Sequence, residues 1–468
     1  MFKITELLKA SGARLIRGNP DNYSRRISID SRSIKKGEVF LAIKGERFDG
    51  HDFIIEAIKK GANCIIKEAS FKIPDSRHPC LSGRQAIPDT QNTAILEVKD
   101  TIKALGDIAL FNRNKFDIPV IAVTGSNGKT TTKDMLFRVL CKKFKVLRNE
   151  GTKNNQIGLP LALLNLNSAY DLVVLEIGTN HFGEIKNLAR ICSADIGIIT
   201  NIGPAHLKYF NNLAGVFREK YDLIKNLRSP HIGILNSDDA YLKRKARSAG
   251  LKPFIIGYGI NNPTDFRAVN IKRSPGQIEF RVNQKYKFTL ATIGYYNIYN
   301  ALAAITVGRI FGLEYRDMSC VLAKFDFPKG RLSRICIEGI NFIDDTYNSN
   351  PGSLNCALQA LEGYPAKGEK IFIMGDMLEL GKKEKSFHVG IATGIAKICD
   401  TFIGVGNLAE LTARALRSFG FRKNKIFTCQ NARQARDILR HRVSPGASDI
   451  VLVKGSRLMK MEEVFKKT

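Results

Sequence analysis

Residues 118–132 read IPVIAVTGSNGKTTT, a short apolar run followed by a turn of glycine and small polar residues. The run Ile118–Val123 is rich in β-branched residues and bounded by turn signals, which predicts a buried strand of a parallel sheet. Beyond the turn, apolar residues from Met135 to Leu140 recur on one face at helical spacing. A strand, a turn and a helix in this order predict a doubly wound α/β domain.

The turn has the composition of a phosphate-binding loop. Gly125 and Gly128 allow the backbone to curl, so that successive N–H groups face anionic oxygens. Lys129 can reach the terminal phosphates of a nucleotide, and the Thr130 hydroxyl can ligate Mg²⁺. The common pattern G-x-x-x-x-G-K-[ST] requires glycine where this chain has Val123. The loop predicts ATP or GTP binding and leaves the reaction open.

Similar patterns extend along the chain. Buried strands are predicted at Leu172–Leu175 and Ile196–Ile199, and the alternation in Phe266–Leu290 around Ser274-Pro275-Gly276 predicts a hairpin. Further apolar runs alternate with helical stretches at Phe342–Ile343, Ile371–Met374, Phe402–Val405 and Ile450–Val453. We therefore expect an α/β protein of three domains, residues 1–116, 117–328 and 329–468. The central domain would hold a P-loop-type, mostly parallel sheet, and the C-terminal domain a Rossmann-like doubly wound sheet.

Composition excludes several classes of protein. In 468 residues, 44% hydrophobic and 25% charged usage excludes a disordered chain. The net charge of +29 favours polyanionic partners, although the surplus is spread along the chain. We see neither a signal peptide nor the ~20 apolar residues that span a bilayer, which predicts a cytoplasmic protein without membrane insertion. Nine cysteines without a Cys-x-x-Cys pair predict buried thiols.

From the loop outward, the sequence resembles the Mur ligase family. Thr124–Thr132 lacks the first glycine of the common loop, as the shared ATP-binding motif of that family does. Other segments are similar to the family member that adds D-alanyl-D-alanine: Asp30–Arg32, Gly37–Phe40 and Gly45–Phe53 in the uridine-nucleotide-binding domain, and Asp344–Pro351, Gly375–Gly381 and Val453–Arg457 in the C-terminal domain.

The resemblance implies that ATP, UDP-N-acetylmuramoyl-tripeptide and D-alanyl-D-alanine give the UDP-linked pentapeptide, ADP and phosphate. The tripeptide carboxylate would attack the γ-phosphate, and the dipeptide amine would take the resulting acyl phosphate. The first domain would bind the UDP-sugar, the second ATP and Mg²⁺, and the third would close on ATP and bind the dipeptide. A monomeric enzyme of peptidoglycan precursor synthesis is implied, and with it a part in cell shape and division.

Three residues are candidate ligands of two Mg²⁺ ions, together with Thr130. Glu176 ends a predicted strand at the sheet edge that carries the loop, where a hard oxygen ligand suits Mg²⁺. The resemblance implies that His206 binds the second ion. By helical periodicity Lys220 would be a solvated lysine, but the resemblance implies a carbamylated lysine, whose formation requires a neutral amine.

The remaining candidates follow from the loop and the resemblance. The catalytic residues would be Lys129, His206 and Lys220. The nucleotide-binding residues would be Gly125, Ser126, Asn127, Gly128, Lys129, Thr130, Thr131, Asn297, Arg331 and Asp345, with Tyr296 where the family has histidine. The substrate-binding residues would be Ser31, Arg32, Asn154 and Asn155.

Two other interpretations remain open. One keeps the fold and changes the reaction to another Mur step, or to folylpolyglutamate or cyanophycin synthesis; Gly45–Phe53 argues against this. The other is a nucleotide-gated nucleic-acid-binding protein, suggested by the charge of +29. It would need a clustered basic face or an aromatic stacking platform, and the chain has no Trp. We therefore expect no specific nucleic-acid partner.

Overall fold

Strands and helices alternate through the computed structural model, which describes residues 1–45, 48–72, 93–248 and 254–466, without the side chains of residues 245–248. Glu46 and Arg47, inside the segment Gly45–Phe53, lie outside the described residues. The chain divides into two units. The first comprises Met1–Val120, Leu147–Ile177 and Asn187–Ala194, and the second Ile121–Val146, Gly178–Lys186 and Asp195–Thr468.

The first unit contains a five-stranded sheet. Its strands lie in the order Arg14–Arg17, Ala94–Val98, Cys64–Glu68, Val39–Leu41 and Ile27–Ser28, the last four parallel and the first antiparallel. Phe2–Lys3 pairs with Tyr23–Ser24, and Val146–Arg148 lies beside Leu172–Glu176. The helices are Ile4–Ser11, Ile54–Lys59, Thr101–Arg113, Gly158–Leu163 and, from Asn187 onward, Glu184–Cys192.

Seven strands of the second unit, counting the phosphate-loop strand, lie side by side in one sheet. Their order is Val120–Thr124, Ile196–Ile199, Ile232–Asn236, Phe254–Gly259, Phe266–Ser274, Gln277–Val282 and Tyr286–Leu290. The first five are parallel, and the last two add an antiparallel meander. The helices that accompany them are Lys129–Leu140, Leu207–Phe210, Leu213–Lys225, Ala240–Ser248, Asn297–Ile310 and Tyr315–Ala323.

A six-stranded sheet follows in the same unit. Its order is Ser333–Ile337, Ile340–Asp345, Ile450–Lys454, Lys370–Gly375, Thr401–Val405 and Ile426–Cys429, parallel except for the first strand. The helices are Pro351–Glu362, Glu384–Gly390, Ala392–Ile398, Asn407–Ser418 and Ala432–Ile438.

Side chains of one strand in this sheet alternate between two cores. Phe372 and Met374 pack with the helices Pro351–Glu362 and Asn407–Ser418. Ile371 and Ile373 pack with Ala432–Ile438. Because helices cover both faces, the strand is apolar throughout, which explains its continuous apolar run.

The expected α/β class, with a mostly parallel P-loop sheet and a doubly wound C-terminal sheet, is confirmed. The predicted strands and the hairpin are present. Several other strands were not predicted, among them Cys64–Glu68, Ala94–Val98, Ile232–Asn236, Phe254–Gly259, Ser333–Ile337 and Ile426–Cys429. The division into three domains stays a prediction. No helix in the described part of the chain has the length and hydropathy needed to cross a membrane.

The expectation that the cysteines are buried is wrong in part. Cys64, Cys192 and Cys399 are buried. Three others, Cys141, Cys320 and Cys336, are exposed. Cys80 lies outside the described residues. Apolar neighbours in sequence therefore do not decide which face of an element a small thiol occupies.

Candidate active site

The phosphate loop joins the strand Val120–Thr124 to the helix that begins at Lys129. Gly125 and Gly128 have φ angles of +149° and +81°, which L side chains rarely adopt. A Cβ at Gly125 would collide with the Thr200 hydroxyl, and one at Gly128 would lie 2.5 Å from Asn300 Oδ1. Both glycines are therefore required by conformation and by close approach.

The segment after the next strand holds the loop in place. Ser126 Oγ donates to the carbonyl of Gly203 (3.0 Å) and accepts from its N–H (2.9 Å). The Asn127 N–H donates to Asn201 Oδ1 (3.0 Å), and the Thr200 hydroxyl donates to the Asn127 carbonyl (2.5 Å). The loop is thus held by hydrogen bonds from the protein, and its N–H groups stand at a helix N-terminus that favours anions.

Lys129, Thr130 and Thr131 begin the helix, and both threonines are buried. Lys129 Nζ donates to the Gly125 carbonyl across the loop (3.0 Å). Arg331 Nη2 donates to Thr130 Oγ1 (2.9 Å), and its guanidinium lies 4.0 Å from the ring centroid of Tyr347. Two cationic groups and a hydroxyl therefore meet at the loop, as neutralising a triphosphate requires.

A second contact to the loop comes from the helix Pro351–Glu362. The side-chain amides of Asn127 and Asn350 donate to each other's oxygens at 3.3 and 2.8 Å. Asn350 Oδ1 also accepts from the Ser353 N–H and so caps that helix (2.9 Å). The Asn350 side chain therefore forms hydrogen bonds with both the start of the helix and the phosphate loop.

Asp345 is buried beside a lysine. Its carboxylate pairs with Lys454 Nζ (2.5 Å) and accepts from the Leu332 N–H (3.2 Å). Burial raises the pKa of Asp345, although the charge of Lys454 opposes this shift. Lys454 Nζ also donates to the carbonyl of Asn348 (2.9 Å). The predicted nucleotide residue thus belongs to a buried ion pair that the sequence did not indicate.

Asn297 is buried within a chain of hydrogen bonds. Thr132 donates to Asn300 Oδ1 (3.1 Å), Asn300 donates to Asn297 Oδ1 (2.9 Å), and Asn297 donates to Thr292 Oγ1 (3.0 Å). Both polar groups of the Asn297 amide are engaged inside the protein. The structure therefore places Asn297 where it supports the loop helix.

Lys220 is buried, with 2% exposure, and not solvated as its helical position suggested. Its pKa lies well below the ordinary value, first because of burial and then because of the charge of Lys129. The neighbouring Glu219 is also buried and accepts hydrogen bonds from Thr179 (3.1 Å) and from the N–H groups of Gly183 and Ile185 (both 2.7 Å). Burial therefore shifts the Lys220 amine toward its neutral form.

His206 follows the strand Ile196–Ile199, and its Nδ1 lies 2.8 Å from Glu379 Oε2. Contact with His206 is the main cause that lowers the pKa of Glu379. Glu379 lies in the segment Gly375–Gly381, to which the sequence assigned no role in the site.

In the first unit, Glu176 is 1% exposed at the end of its strand. Its Oε1 accepts from Asn154 Nδ2 (2.6 Å), whereas its buried Oε2 has no hydrogen-bond partner among the described residues. A buried carboxylate oxygen without a partner is costly, and a bound cation would remove that cost. Asn155 Oδ1 instead accepts from the N–H groups of Ile157 (3.2 Å) and Gly158 (2.9 Å) at a helix start.

Ser31 and Arg32 are neighbours in sequence but differ in how accessible their side chains are to a ligand. Ser31 is buried, and its hydroxyl donates to Glu56 (3.1 Å). Arg32 is exposed and forms two hydrogen bonds with Asp30, at 2.9 and 2.8 Å. The guanidinium lowers the pKa of Asp30 to about 2. Arg32 is thus the more accessible of the two to an anionic ligand.

Within the described residues, no three His, Cys, Asp or Glu side chains form a metal-binding cluster. This fits Mg²⁺, which commonly takes one or two carboxylates and completes its shell with phosphates and water. Of the predicted residues, the second unit brings Arg331 to the loop. The residues that the sequence did not indicate lie at the ends of strands or after them, as Glu176 does, and that position was the available signal; they are Thr200, Asn201, Asn350, Glu379 and Lys454.

Comparison with known proteins covers nearly the whole chain. Residues 24–113 match the Mur ligase family catalytic domain, 123–308 the Mur ligase middle domain, and 330–457 the Mur ligase glutamate ligase domain. The UDP-N-acetylmuramoyl-tripeptide–D-alanyl-D-alanine ligase of Bacillus subtilis (strain 168) is 32% identical, over 94% of this chain and 92% of that protein. The Escherichia coli (strain K12) ligase of the same name is 31% identical over the same fractions.

Comparison with solved structures leads to the same family. MurF from Acinetobacter baumannii superposes with a TM-score of 0.84 at 30% identity, covering 99% of this chain and 97% of that one. MurF from Thermotoga maritima in complex with ADP superposes with a TM-score of 0.78 at 28% identity, covering 94% of this chain and 96% of that one. The chain therefore belongs to the Mur ligase family, among the UDP-N-acetylmuramoyl-tripeptide–D-alanyl-D-alanine ligases known as MurF.

Proposed function

We propose that this chain joins D-alanyl-D-alanine to UDP-N-acetylmuramoyl-tripeptide at the expense of ATP, forming ADP, phosphate and the UDP-linked pentapeptide of peptidoglycan synthesis. The observation that carries this is a formed phosphate loop, contacted by Arg331, in a chain similar to such ligases over nearly its full length. The ADP named with the Thermotoga maritima structure supports ATP as the nucleotide.

The reaction has to bring a carboxylate to a triphosphate, and two anions repel. Backbone N–H groups of the loop and the helix N-terminus would hold the phosphates, while Lys129 and Arg331 would neutralise the charge that develops on the transferred group. Lys129 would exchange its contact with the Gly125 carbonyl for phosphate oxygens. An acyl phosphate on the tripeptide would then accept the amine of the dipeptide.

Two Mg²⁺ ions would supply Lewis-acid activation and neutralise phosphate charge. Thr130, Glu176 and His206 would hold them, together with a carbamate at Lys220. The buried Glu176 Oε2 without a described partner supports the first assignment. Burial and a lowered pKa support carbamylation of Lys220, because only the neutral amine adds to CO₂.

The three ranges 1–116, 117–328 and 329–468 would bind the UDP-sugar, ATP with Mg²⁺, and the incoming dipeptide. The three family matches, at 24–113, 123–308 and 330–457, support this division. The exposed guanidinium of Arg32 would contact the diphosphate, and Ser31, Asn154 and Asn155 would line the acceptor. The cytoplasmic location and monomeric state stay predictions.

Phosphate release from ATP, measured with the UDP-linked tripeptide and with or without D-alanyl-D-alanine, tests this function. We expect release that depends on both acceptors. Lys129→Ala should abolish turnover, His206→Ala and Lys220→Ala should lower it strongly, and bicarbonate should raise the wild-type rate. The exposed Lys142→Ala is the control and should keep the wild-type rate. Unchanged rates in the three site variants would refute the proposed site.

A further inference from the structure

His206 and Glu379 meet in the second unit from two different sheets. His206 comes seven residues after the end of the strand Ile196–Ile199 and directly precedes the helix Leu207–Phe210. Glu379 follows the strand Lys370–Gly375. Nδ1 of the histidine is buried and lies 2.8 Å from Oε2 of the glutamate, within ion-pair distance, although the angles at this contact fall outside those of a hydrogen bond.

The backbone on both sides is held in an uncommon conformation. His206 and Glu379 have left-handed φ angles of +53° and +64°, which L residues rarely adopt. The Lys208 N–H donates to the Glu379 carbonyl at 3.0 Å, so a backbone bond accompanies the side-chain contact. Two strained residues facing each other indicate that this arrangement is determined by its surroundings, as at functional sites.

The two ring nitrogens of a histidine have different roles when one binds a metal. A carboxylate beside one nitrogen favours the proton there and leaves the lone pair of the other nitrogen for the metal. In this chain the carboxylate lies at Nδ1, which leaves Nε2 for a cation. Mg²⁺ binding by His206 belongs to the proposed function, and the following inference rests on it.

We propose that Glu379 is a positioning residue that keeps the proton of His206 on Nδ1 and presents Nε2 to the divalent cation. The segment Gly375–Gly381 would then contribute to the metal site without touching the metal. Because Glu379 and His206 belong to different sheets, the cation site would be complete only when the two segments are in contact. This assigns to the C-terminal segment a part in cation binding.

Side-chain ¹⁵N NMR of the full-length, metal-free protein with labelled histidine measures the tautomer directly. The chain has seven histidines, and the signal lost in His206→Gln identifies the residue. Above the pH range in which histidine titrates, we expect Nδ1–H in the wild type and in Glu379→Gln, whose amide oxygen can still accept. We expect a shift toward Nε2–H in Glu379→Ala.

Glu338→Ala is a matched control. Glu338 also has a left-handed φ (+53°), is 45% exposed against 41% for Glu379, and forms an ion pair with Arg440 at 3.0 Å. Replacing Glu338 by alanine removes an ion pair comparable to that of Glu379, at a residue with a comparable φ angle. The His206 tautomer should nevertheless stay unchanged. Nε2–H at His206 in the wild type, or the same spectrum in Glu379→Ala, would overturn the proposal.

Mn²⁺ is the second probe, with affinity measured by its electron paramagnetic resonance in the presence of ADP. Glu379→Ala should bind Mn²⁺ about tenfold more weakly than the wild type, and Glu338→Ala should match the wild type. Equal affinities in the wild type and Glu379→Ala would refute the positioning role. Failure of Mn²⁺ to broaden the His206 signal in the wild type would instead refute the metal assignment on which the inference rests.

Discussion

Replacement of Gly128 by alanine tests whether the phosphate loop depends on a close approach to a buried side chain. The φ of Gly128 is +81°, and an added Cβ would lie 2.5 Å from Asn300 Oδ1. That oxygen accepts from Thr132, and the Asn300 amide donates to Asn297, so the side chain cannot turn away without losing hydrogen bonds. The substitution therefore combines backbone strain with a collision.

The free-energy cost of the backbone strain and that of the collision can be estimated separately. A left-handed conformation costs an alanine about 1–2 kcal/mol. Overpacking against a held side chain adds about 1–3 kcal/mol. Gly420→Ala isolates the first cost, because Gly420 has φ +80° and no atom within 4 Å of its added Cβ. We expect the free energy of unfolding to fall by about 2–5 kcal/mol in Gly128→Ala and by about 1–2 kcal/mol in Gly420→Ala.

Scanning calorimetry and ADP titration measure the outcome. One kcal/mol lowers the Tm by roughly 2–4 °C in domains of 150–250 residues, so the Gly128 variant should melt several degrees below the Gly420 variant. It should also bind ADP more weakly, whereas Gly420→Ala should bind ADP as the wild type does. Equal Tm values in the two variants, with equal ADP affinity, would refute the reasoning about Asn300.

Three further substitutions test buried polar groups. The Met377 N–H donates to Nε2 of His388 (2.9 Å), which requires a neutral ring, and burial lowers the pKa of His388 from 6.5. The stabilisation that neutral His388 gives the fold is complete above about pH 6.5 and is lost as the pH falls through the lower pKa of the folded state. The wild-type Tm should therefore fall more steeply in acid than the Tm of His388→Gln. Equal slopes of Tm against pH in the two proteins would contradict this. Lys454→Met leaves the Asp345 carboxylate buried without its cation and should lower the free energy of unfolding by about 3–5 kcal/mol. Adding Asp345→Asn should restore most of that loss in urea titrations, and no recovery would contradict the ion pair. Arg113→Met removes three donors to backbone carbonyls, at 2.6, 3.0 and 3.2 Å, and should lower the urea midpoint of the first unit; an unchanged midpoint would show that these bonds contribute little.

Local pattern was sufficient for much of the fold. The strands at Val120–Thr124 and Ile196–Ile199 are short runs of β-branched residues, fully buried as predicted. The edge strand Ser333–Ile337 was missed because its one exposed face leaves no continuous apolar run. Burial of both faces was not sufficient for prediction, because the largely buried strands Cys64–Glu68 and Ala94–Val98 were also missed.

The site was predictable only where its residues are neighbours in sequence. The loop residues were identified from their spacing, but Glu379 and Lys454 meet His206 and Asp345 across 173 and 109 positions, which no local pattern reveals. The substrate role of Asn155 stays a prediction; in the structure its oxygen accepts from two N–H groups at a helix start. A turn-forming role for this asparagine was also visible in the sequence.

The valine at position 123 shows why one departure from the common loop pattern does not weaken the nucleotide site. Val123 is fully buried in the strand Val120–Thr124 and pairs in register with Ile198. At this point the chain is still a strand, and a β-branched residue packs better there than glycine. The positions that cannot carry a side chain are Gly125, against the Thr200 hydroxyl, and Gly128, against Asn300. The loop therefore turns two residues later than the common pattern implies, and glycine is needed where the backbone curls and not where the strand ends.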